Sequence, residues 1–254
     1  MDTVLAADIG NTKAKIGVID IQNLTCKKKR TVNSSDTKII IDTINAFLRE
    51  CPPKKAYPVK ISSTIKSKVM DIQSLLQSQI KTCQFEFLRY HNHLPFQSNY
   101  LKPETLGTDR IANCLFGIKK FPGRDCIIIS AGTAITIDIL SDKGEHLGGY
   151  ILPGVHTQFK SLFANTAELP LITGTNSSYS HTFPPNSTES GIYHGIVLAQ
   201  SGGISFIIKK VFELLPKDYT ILACGGEWKF IKPHAGFSFI EYPDLTLIGT
   251  GLFE

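Results

Sequence analysis

One layout occurs twice in this chain, and it limits the folds open to it. Residues 4–7 are apolar and run into Asp8-Ile9-Gly10-Asn11-Thr12, and a second apolar run follows at residues 14–19. Residues 126–129 repeat the start, Ser130-Ala131-Gly132-Thr133-Ala134 repeats the glycine turn, and residues 135–140 repeat the second run. Short apolar runs joined by a turn of a few residues pair as antiparallel strands. Helical spacing then takes over after each pair. In the first half Ile40, Ile41, Ile44, Phe47 and Leu48 predict a helix over 37–50, stopped by Cys51-Pro52-Pro53. A strand is expected at 58–62, a second helix from Ile65 to Ile80, a short strand at 85–90, a loop at 91–105 and a helix from Asp109 to about 121.

The second half reads in the same way. A third strand is expected at 150–152 after a turn at Gly148-Gly149, then a helix near 155–166 and a polar loop at 173–186. A long helix is expected at 188–215, a strand at 219–224, and a further helix opened by Gly225-Gly226. Alternating strands and helices make an α/β fold. The repeat is either an internal duplication or a chance likeness of two hairpins in one continuous domain, and duplication is the reading taken forward.

Composition narrows the function classes. Hydrophobic residues are 42% and charged residues 19% of 254, which fits neither a disordered chain nor a multi-span membrane protein. No run reaches the ~18–20 apolar residues needed to cross a bilayer, and no signal-like segment opens the chain, so no membrane and a cytoplasmic location are expected. Six cysteines without a C-x-x-C pair read as reduced thiols. The net charge of +5 suits a small anionic substrate as well as nucleic acid. The basic run Lys27-Lys28-Lys29-Arg30 has no interleaved aromatics and is read as a solvated hairpin turn, not a nucleic-acid patch. The seven histidines show no metal-ligand spacing.

The two turns have parts suited to phosphate. Successive backbone N–H groups around Gly10 can form an anion nest, with the Thr12 hydroxyl and the Lys13 charge beside them. Asp8 either holds Mg²⁺ through water or makes an Asx turn with Asn11. Gly132 and Thr133 stand at the matching place in the second half, and two such turns facing across a cleft would grip a nucleoside triphosphate. There is no P-loop, no protein-kinase glycine loop and no G-x-S-x-G elbow. Asp109, in Leu106-Gly107-Thr108-Asp109-Arg110, either accepts a proton from an attacking hydroxyl or caps a helix; Arg110 either positions an anionic group or pairs at the surface.

Taken in order, these residues resemble the type III pantothenate kinases, of the actin/hexokinase-like ATPase superfamily. Asp8-Ile9-Gly10-Asn11-Thr12 is similar to that family's first phosphate motif. Tyr100-x-x-Pro103-x-x-Leu106-Gly107-x-Asp109-Arg110 resembles its pantothenate segment, and Gly132-Thr133-Ala134-x-Thr136-x-Asp138 its second phosphate motif. Gly148-Gly149-x-Ile151-x-Pro153-Gly154, Thr166-Ala167-x-Leu169-Pro170, Thr188 with Ile192 and Gly195, Gly225-Gly226 and residues 245–249 follow in the expected order. The resemblance implies two ribonuclease-H-like halves around a nucleotide cleft, 1–120 with the first phosphate motif and 121–254 with the second. It implies transfer of the ATP γ-phosphoryl group to the primary hydroxyl of pantothenate, the first step of coenzyme A biosynthesis. Asp109 would be the general base and Asp8 would help hold Mg²⁺. Gly10, Asn11, Thr12, Lys13, Gly132 and Thr133 would contact phosphates. Tyr100, Gly107, Thr108, Arg110 and Thr188 would shape the pantothenate pocket. Members of the family are homodimers that depend on a monovalent cation, K⁺ or NH₄⁺.

One position departs from the family pattern. The second phosphate motif there usually opens on an Asp that ligates the monovalent cation, and here the residue is Ser130. A neutral hydroxyl cannot offset cation desolvation as a carboxylate does, so altered cation dependence is expected. The departure also admits a ligand-binding regulatory accessory factor without turnover. A nucleic-acid-binding protein, the third class, rests only on the pI of 8.8 and the run at 27–30.

Overall fold

The structure is a computed structural model, and it describes residues 3–50, 58–79, 84–91, 93–173, 179, 182–215 and 217–253, without the side chains of 66–68 and 77–79. Two mixed α/β sheets organise it. In chain order the first half runs β1 (Thr3–Ile9), β2 (Lys13–Asp20), β3 (Thr25–Asn33), α1 (Thr37–Glu50), β4 (Pro58–Ser63), α2 (Lys66–Gln79) and β5 (Gln84–Phe87). These strands form one sheet in the order β3-β2-β1-β4-β5. β1, β2 and β3 pair antiparallel, whereas β4 joins β1 and β5 joins β4 in parallel, each after a helix long enough to make the crossover.

The connection that follows carries β6 (Gln97–Ser98), a 3₁₀ turn at Pro103–Thr105 and α3 (Thr108–Lys120). Then come β7 (Cys126–Ala131), β8 (Ala134–Leu140), β9 (Glu145–Pro153), α4 (Val155–Asn165), α5 (Thr188–Leu214), β10 (Thr220–Cys224), α6 (Trp228–Ile231), β11 (Ile240–Glu241) and α7 (Leu245–Thr250). The second sheet is ordered β11-β10-β7-β8-β9-β6. Apart from the added β6, this is the strand order of the first sheet, so the duplication expected from the sequence is present in the fold.

The chain divides into two compact units, residues 1–128, 138–148 and 244–254 in one and 129–137 and 149–243 in the other. The first unit is cored by Leu5, Ile9 and Ile16 of the sheet against Ile40, Ile44 and Phe47 of α1 and Ile72 and Leu76 of α2. Alternation explains this choice: in β2 Ala14 and Ile16 turn inward while Lys13 is exposed. In the second unit α5 has the length and mean hydropathy of a membrane-crossing helix, although polar residues interrupt its apolar run. Among its buried residues, Tyr193, Val197, Gln200, Ile204, Ile208 and Val211 recur every three or four positions, as in a helix with one face on a core.

Three expectations change. The basic run at 27–30 is not a turn but lies in β3, at the edge of its sheet. Charged side chains suit an edge strand because they discourage further pairing. Lys28 and Arg30 pair with Glu50, and Lys29 with Asp244. The third strand of the second half begins at Glu145, so Gly148-Gly149 sits inside β9, where Gly148 takes φ +132°. The loop expected at 91–105 contains β6, which pairs with β9. The proposed stop at Cys51-Pro52-Pro53, the end of the second helix at Ile80 and much of the loop at 173–186 lie outside the described residues.

Candidate active site

The end of β1 and the start of α3 build the centre of the site in the first unit. Parallel pairing places Asp8 of β1 beside Ser62 of β4, and the Ser62 hydroxyl donates to Thr108 Oγ1 at 3.0 Å. Thr108 is the first residue of α3, so this bond fixes the helix start against the strand ends. Gly107 is its N-cap, and a Cβ there would lie 2.6 Å from Asp109 Oδ1. A side chain at 107 would therefore push the Asp109 carboxylate away. Asp109 is not the cap, which answers the capping alternative; its Oδ1 accepts the Arg110 backbone N–H at 2.9 Å.

Both carboxyls here are held against ionisation. Burial pushes Asp8 up from 3.8 to about 7, Lys15 opposes this, and the charge on Asp109 adds to it. Burial also raises Asp109; the Arg110 N–H opposes this, and Asp138 adds to the rise. Two half-buried carboxyls whose charges oppose each other fit a divalent cation at Asp8, since a cation would offset both desolvation and repulsion.

Arg110 is not at the surface. It is 4% exposed, and Nε and Nη2 donate to Asp138 Oδ1 at 2.9 and 2.6 Å. Nη1 donates to the Tyr100 hydroxyl at 2.6 Å, and the guanidinium stands 5.2 Å from the Tyr100 ring centroid. Desolvation of Arg110 is more than offset by Asp138 and Tyr100, so the guanidinium stays charged. Tyr100 and Arg110, named from the sequence, thus meet in the structure, and Asp109 beside Arg110 feels the charge of Asp8.

Asp138 and His146 were not assigned roles from the sequence. Asp138 is fully buried in β8, and His146 Nε2 lies 2.8 Å from the same Oδ1 that takes Arg110. A signal existed: β8 is buried on both faces from Ile135 to Leu140, and a carboxylate within such a run requires partners. Cys114, Asp138 and His146 bring ligand atoms within 4.8 Å of one another. Arg110 already occupies Asp138, a guanidinium repels a cation, and burial pushes the Cys114 thiol far up. The cluster is therefore a charge-balanced pair with a protonated thiol beside it, not a metal centre.

The two glycine turns are alike in backbone. Gly10 N–H donates to Lys13 O and Gly132 N–H to Ala134 O, each at 3.0 Å. Asn11, Thr12 and Lys13 are exposed, as is Thr133. In the second unit the turn is crowded: a Cβ on Gly154 would stand 2.0 Å from Gly132 O, and one on Gly225 2.2 Å from Ala131 O. Glu227, also missed in the sequence, accepts the Val155 N–H at the start of α4 at 2.7 Å and faces His156 Nδ1 at 2.9 Å. Ser130 is half-buried in β7, and Thr188 stands exposed in the first turn of α5 in the same unit.

Comparison with known proteins places the chain in a family. The family model described as type III pantothenate kinase matches residues 4–210. A type III pantothenate kinase from Christiangramia forsetii is 33% identical over 90% of this chain and 88% of its own length. Among solved structures, a Baf family protein from Campylobacter jejuni superposes with a TM-score of 0.59 at 25% identity, covering 98% of this chain and 96% of that one. An inorganic polyphosphate/ATP-glucomannokinase from Arthrobacter sp. strain KM shares the fold, with a TM-score of 0.53 at 14% identity over 98% and 97% of the two chains.

Proposed function

The chain belongs to the type III pantothenate kinase family and phosphorylates pantothenate with ATP in the first step of coenzyme A biosynthesis, and we propose that Asp109 is the base that takes the proton of the attacking hydroxyl. The observation that carries this role is the placement of a desolvated carboxylate at the start of α3, directly before the buried Arg110. Phosphoryl transfer through a loose transition state needs positioning and charge neutralisation more than covalent help. Asp109 aligns the primary hydroxyl and receives its proton as the bond to phosphorus forms. Arg110 and Tyr100 bind the carboxylate end of pantothenate, and Gly107, Thr108 and Thr188 complete the contacts to it.

Gly10, Asn11, Thr12, Lys13, Gly132 and Thr133 are the proposed phosphate contacts; Asn11, Thr12, Lys13 and Thr133 are exposed, while the N–H groups of Gly10 and Gly132 close their own turns. Asp8 is the residue that would hold Mg²⁺, which when bound neutralises charge on the phosphates. Ser130 stands where a monovalent cation would be ligated, and we assign this chain a weakened response to K⁺ or NH₄⁺. The functional halves are proposed to divide near residue 120, with β6 the one strand before that boundary that joins the second sheet. A homodimer in the cytoplasm, with ATP and pantothenate as ligands and no nucleic acid or membrane partner, completes the reading.

The direct test is ATP-dependent phosphorylation of pantothenate by the purified chain with Mg²⁺, in matched sodium and potassium buffers. Product is expected in both, with a small difference between them. A folded protein that binds pantothenate and makes no product in either buffer would leave the accessory-factor reading. The pH–rate profile gives a second check: because burial raises Asp109, kcat/KM rises with pH along a limb displaced above that of an ordinary aspartate.

A further inference from the structure

Behind Arg110 lies a closed ring of hydrogen bonds formed by residues far apart in the chain. His146 Nε2 meets Asp138 Oδ1 at 2.8 Å, and its Nδ1 meets Ser98 Oγ at 2.8 Å. Ser98 Oγ also accepts the Tyr100 backbone N–H at 3.3 Å, and Tyr100 receives Arg110 at its hydroxyl. Donor and acceptor roles follow from the chemistry. The Asp138 carboxylate paired with Arg110 can only accept, so Nε2 of His146 carries a hydrogen. In the neutral ring Nδ1 accepts from the Ser98 hydroxyl, whose oxygen also accepts the Tyr100 N–H. Arg110 spends three of its five N–H groups inside the ring.

The backbone supports the same arrangement. The two-residue strand β6 pairs Ser98 with His146, and Asn99 N–H donates to His146 O at 2.9 Å. The Tyr100 ring lies 5.3 Å from the His146 ring. The segment that carries Tyr100 is thus fastened to His146 by main chain, side chain and ring contact. His146 is fully buried, and its ring meets Asp138, Ser98 and Tyr100.

We propose that His146 and Ser98 are positioning residues that, with Asp138, fix Arg110 and Tyr100 for the carboxylate of pantothenate. They set the preference for an acidic over a neutral substrate. The inference rests on the reading that Arg110 and Tyr100 bind that carboxylate. Planar, bidentate recognition by Arg needs a fixed guanidinium plane, and the His146 contact to Asp138 is what fixes it from behind.

The test uses the full chain with ATP and Mg²⁺, and two acceptors, pantothenate and its neutral carboxamide. His146→Leu is expected to raise the pantothenate KM about tenfold, to leave the ATP KM within about twofold, and to erase most of the preference for acid over amide. His146→Gln, whose side-chain amide can still donate to Asp138, is expected to recover most of that preference. Ser98→Ala should move the pantothenate KM about threefold in the same direction, and it carries the test if His146→Leu does not fold. An unchanged pantothenate KM and acid preference in the folded variant would overturn the proposal, as would an equal loss on both acceptors that His146→Gln does not repair. Absence of product from the wild-type chain would instead remove the pantothenate reading, and this inference with it.

Discussion

The first and second glycine turns share a backbone and differ in where they keep a carboxylate. Each closes on a 3.0 Å bond from its glycine N–H, but Asn11 and Thr12 fill the first loop and Thr133 alone fills the second. Asp8 ends the strand before the first turn, and Ser130 takes that place before the second. Four residues past the closing residue the contrast reverses, with Gly17 on β2 and Asp138 on β8. Gly17 must be bare, since a Cβ there would lie 2.7 Å from Lys28 O. Asp138 is fully buried and held by Arg110 and His146. One hairpin therefore keeps a carboxylate unneutralised beside its turn, suited to an added cation. The other has moved its charge into the interior, where Arg110 and His146 both hold its Oδ1. The duplication preserved a turn while the chemistry on it diverged.

The contrast is broken most severely at Asp138. Removing one partner of a buried ion pair strands the other, so Asp138→Ala should cost about 3–5 kcal/mol and lower the Tm by about 10 °C. Ser130→Ala, at the position before the same turn, should change Tm by no more than about 2 °C; circular dichroism melts compare the two. Next comes turn crowding. Gly154→Ala forces a Cβ to within 2.0 Å of the second turn, whereas at Gly10 it would stand 3.3 Å from Lys13 O. Urea midpoints should show a loss of about 2–3 kcal/mol for Gly154→Ala and under about 1 kcal/mol for Gly10→Ala.

Restoring the missing carboxylate sharpens the comparison. Ser130→Asp should increase the ratio of rates in potassium over sodium by about threefold, because a charged ligand offsets cation desolvation; an unchanged ratio would remove Ser130 as the cause of weak cation response. The smallest effect is a linkage effect at Asp8. Its folded carboxyl titrates near 7 against an ordinary 3.8, so the folded chain binds that proton more tightly than the unfolded one. Stability from this group is present below 3.8 and is lost as pH rises through 7. Asp8→Asn should therefore raise the Tm of the ligand-free protein by about 2–4 °C at pH 8, with a smaller gain at pH 5.5.

Much of the fold was legible because burial leaves a period in the sequence. The spacing of Ile40, Ile44 and Phe47 gave α1, and the apolar runs around Gly10 and Gly132 gave both hairpins. β3 was hidden because an exposed edge strand of charged residues carries no apolar alternation. β9 was cut short because Gly148-Gly149 signals a turn wherever it occurs, although glycine in a strand can also permit a bend. At the site, Asp8, Asp109 and Arg110 stood out as charges beside apolar runs or helix starts. His146 and Ser98 did not, because 48 residues separate them and only the pairing of β6 with β9 brings them together. Asp138 was visible as part of a motif, but its role depends on two partners that no local pattern supplies.

The central claim is that Asp109 takes the proton of the pantothenate hydroxyl. Single-turnover phosphoryl transfer by wild type and Asp109→Asn, with pantothenate affinity measured on each by calorimetry, tests it most directly. The account predicts a loss of about 10²–10⁴ in rate with affinity within about threefold. A variant that binds pantothenate as wild type does and transfers phosphate within about tenfold of its rate would contradict it.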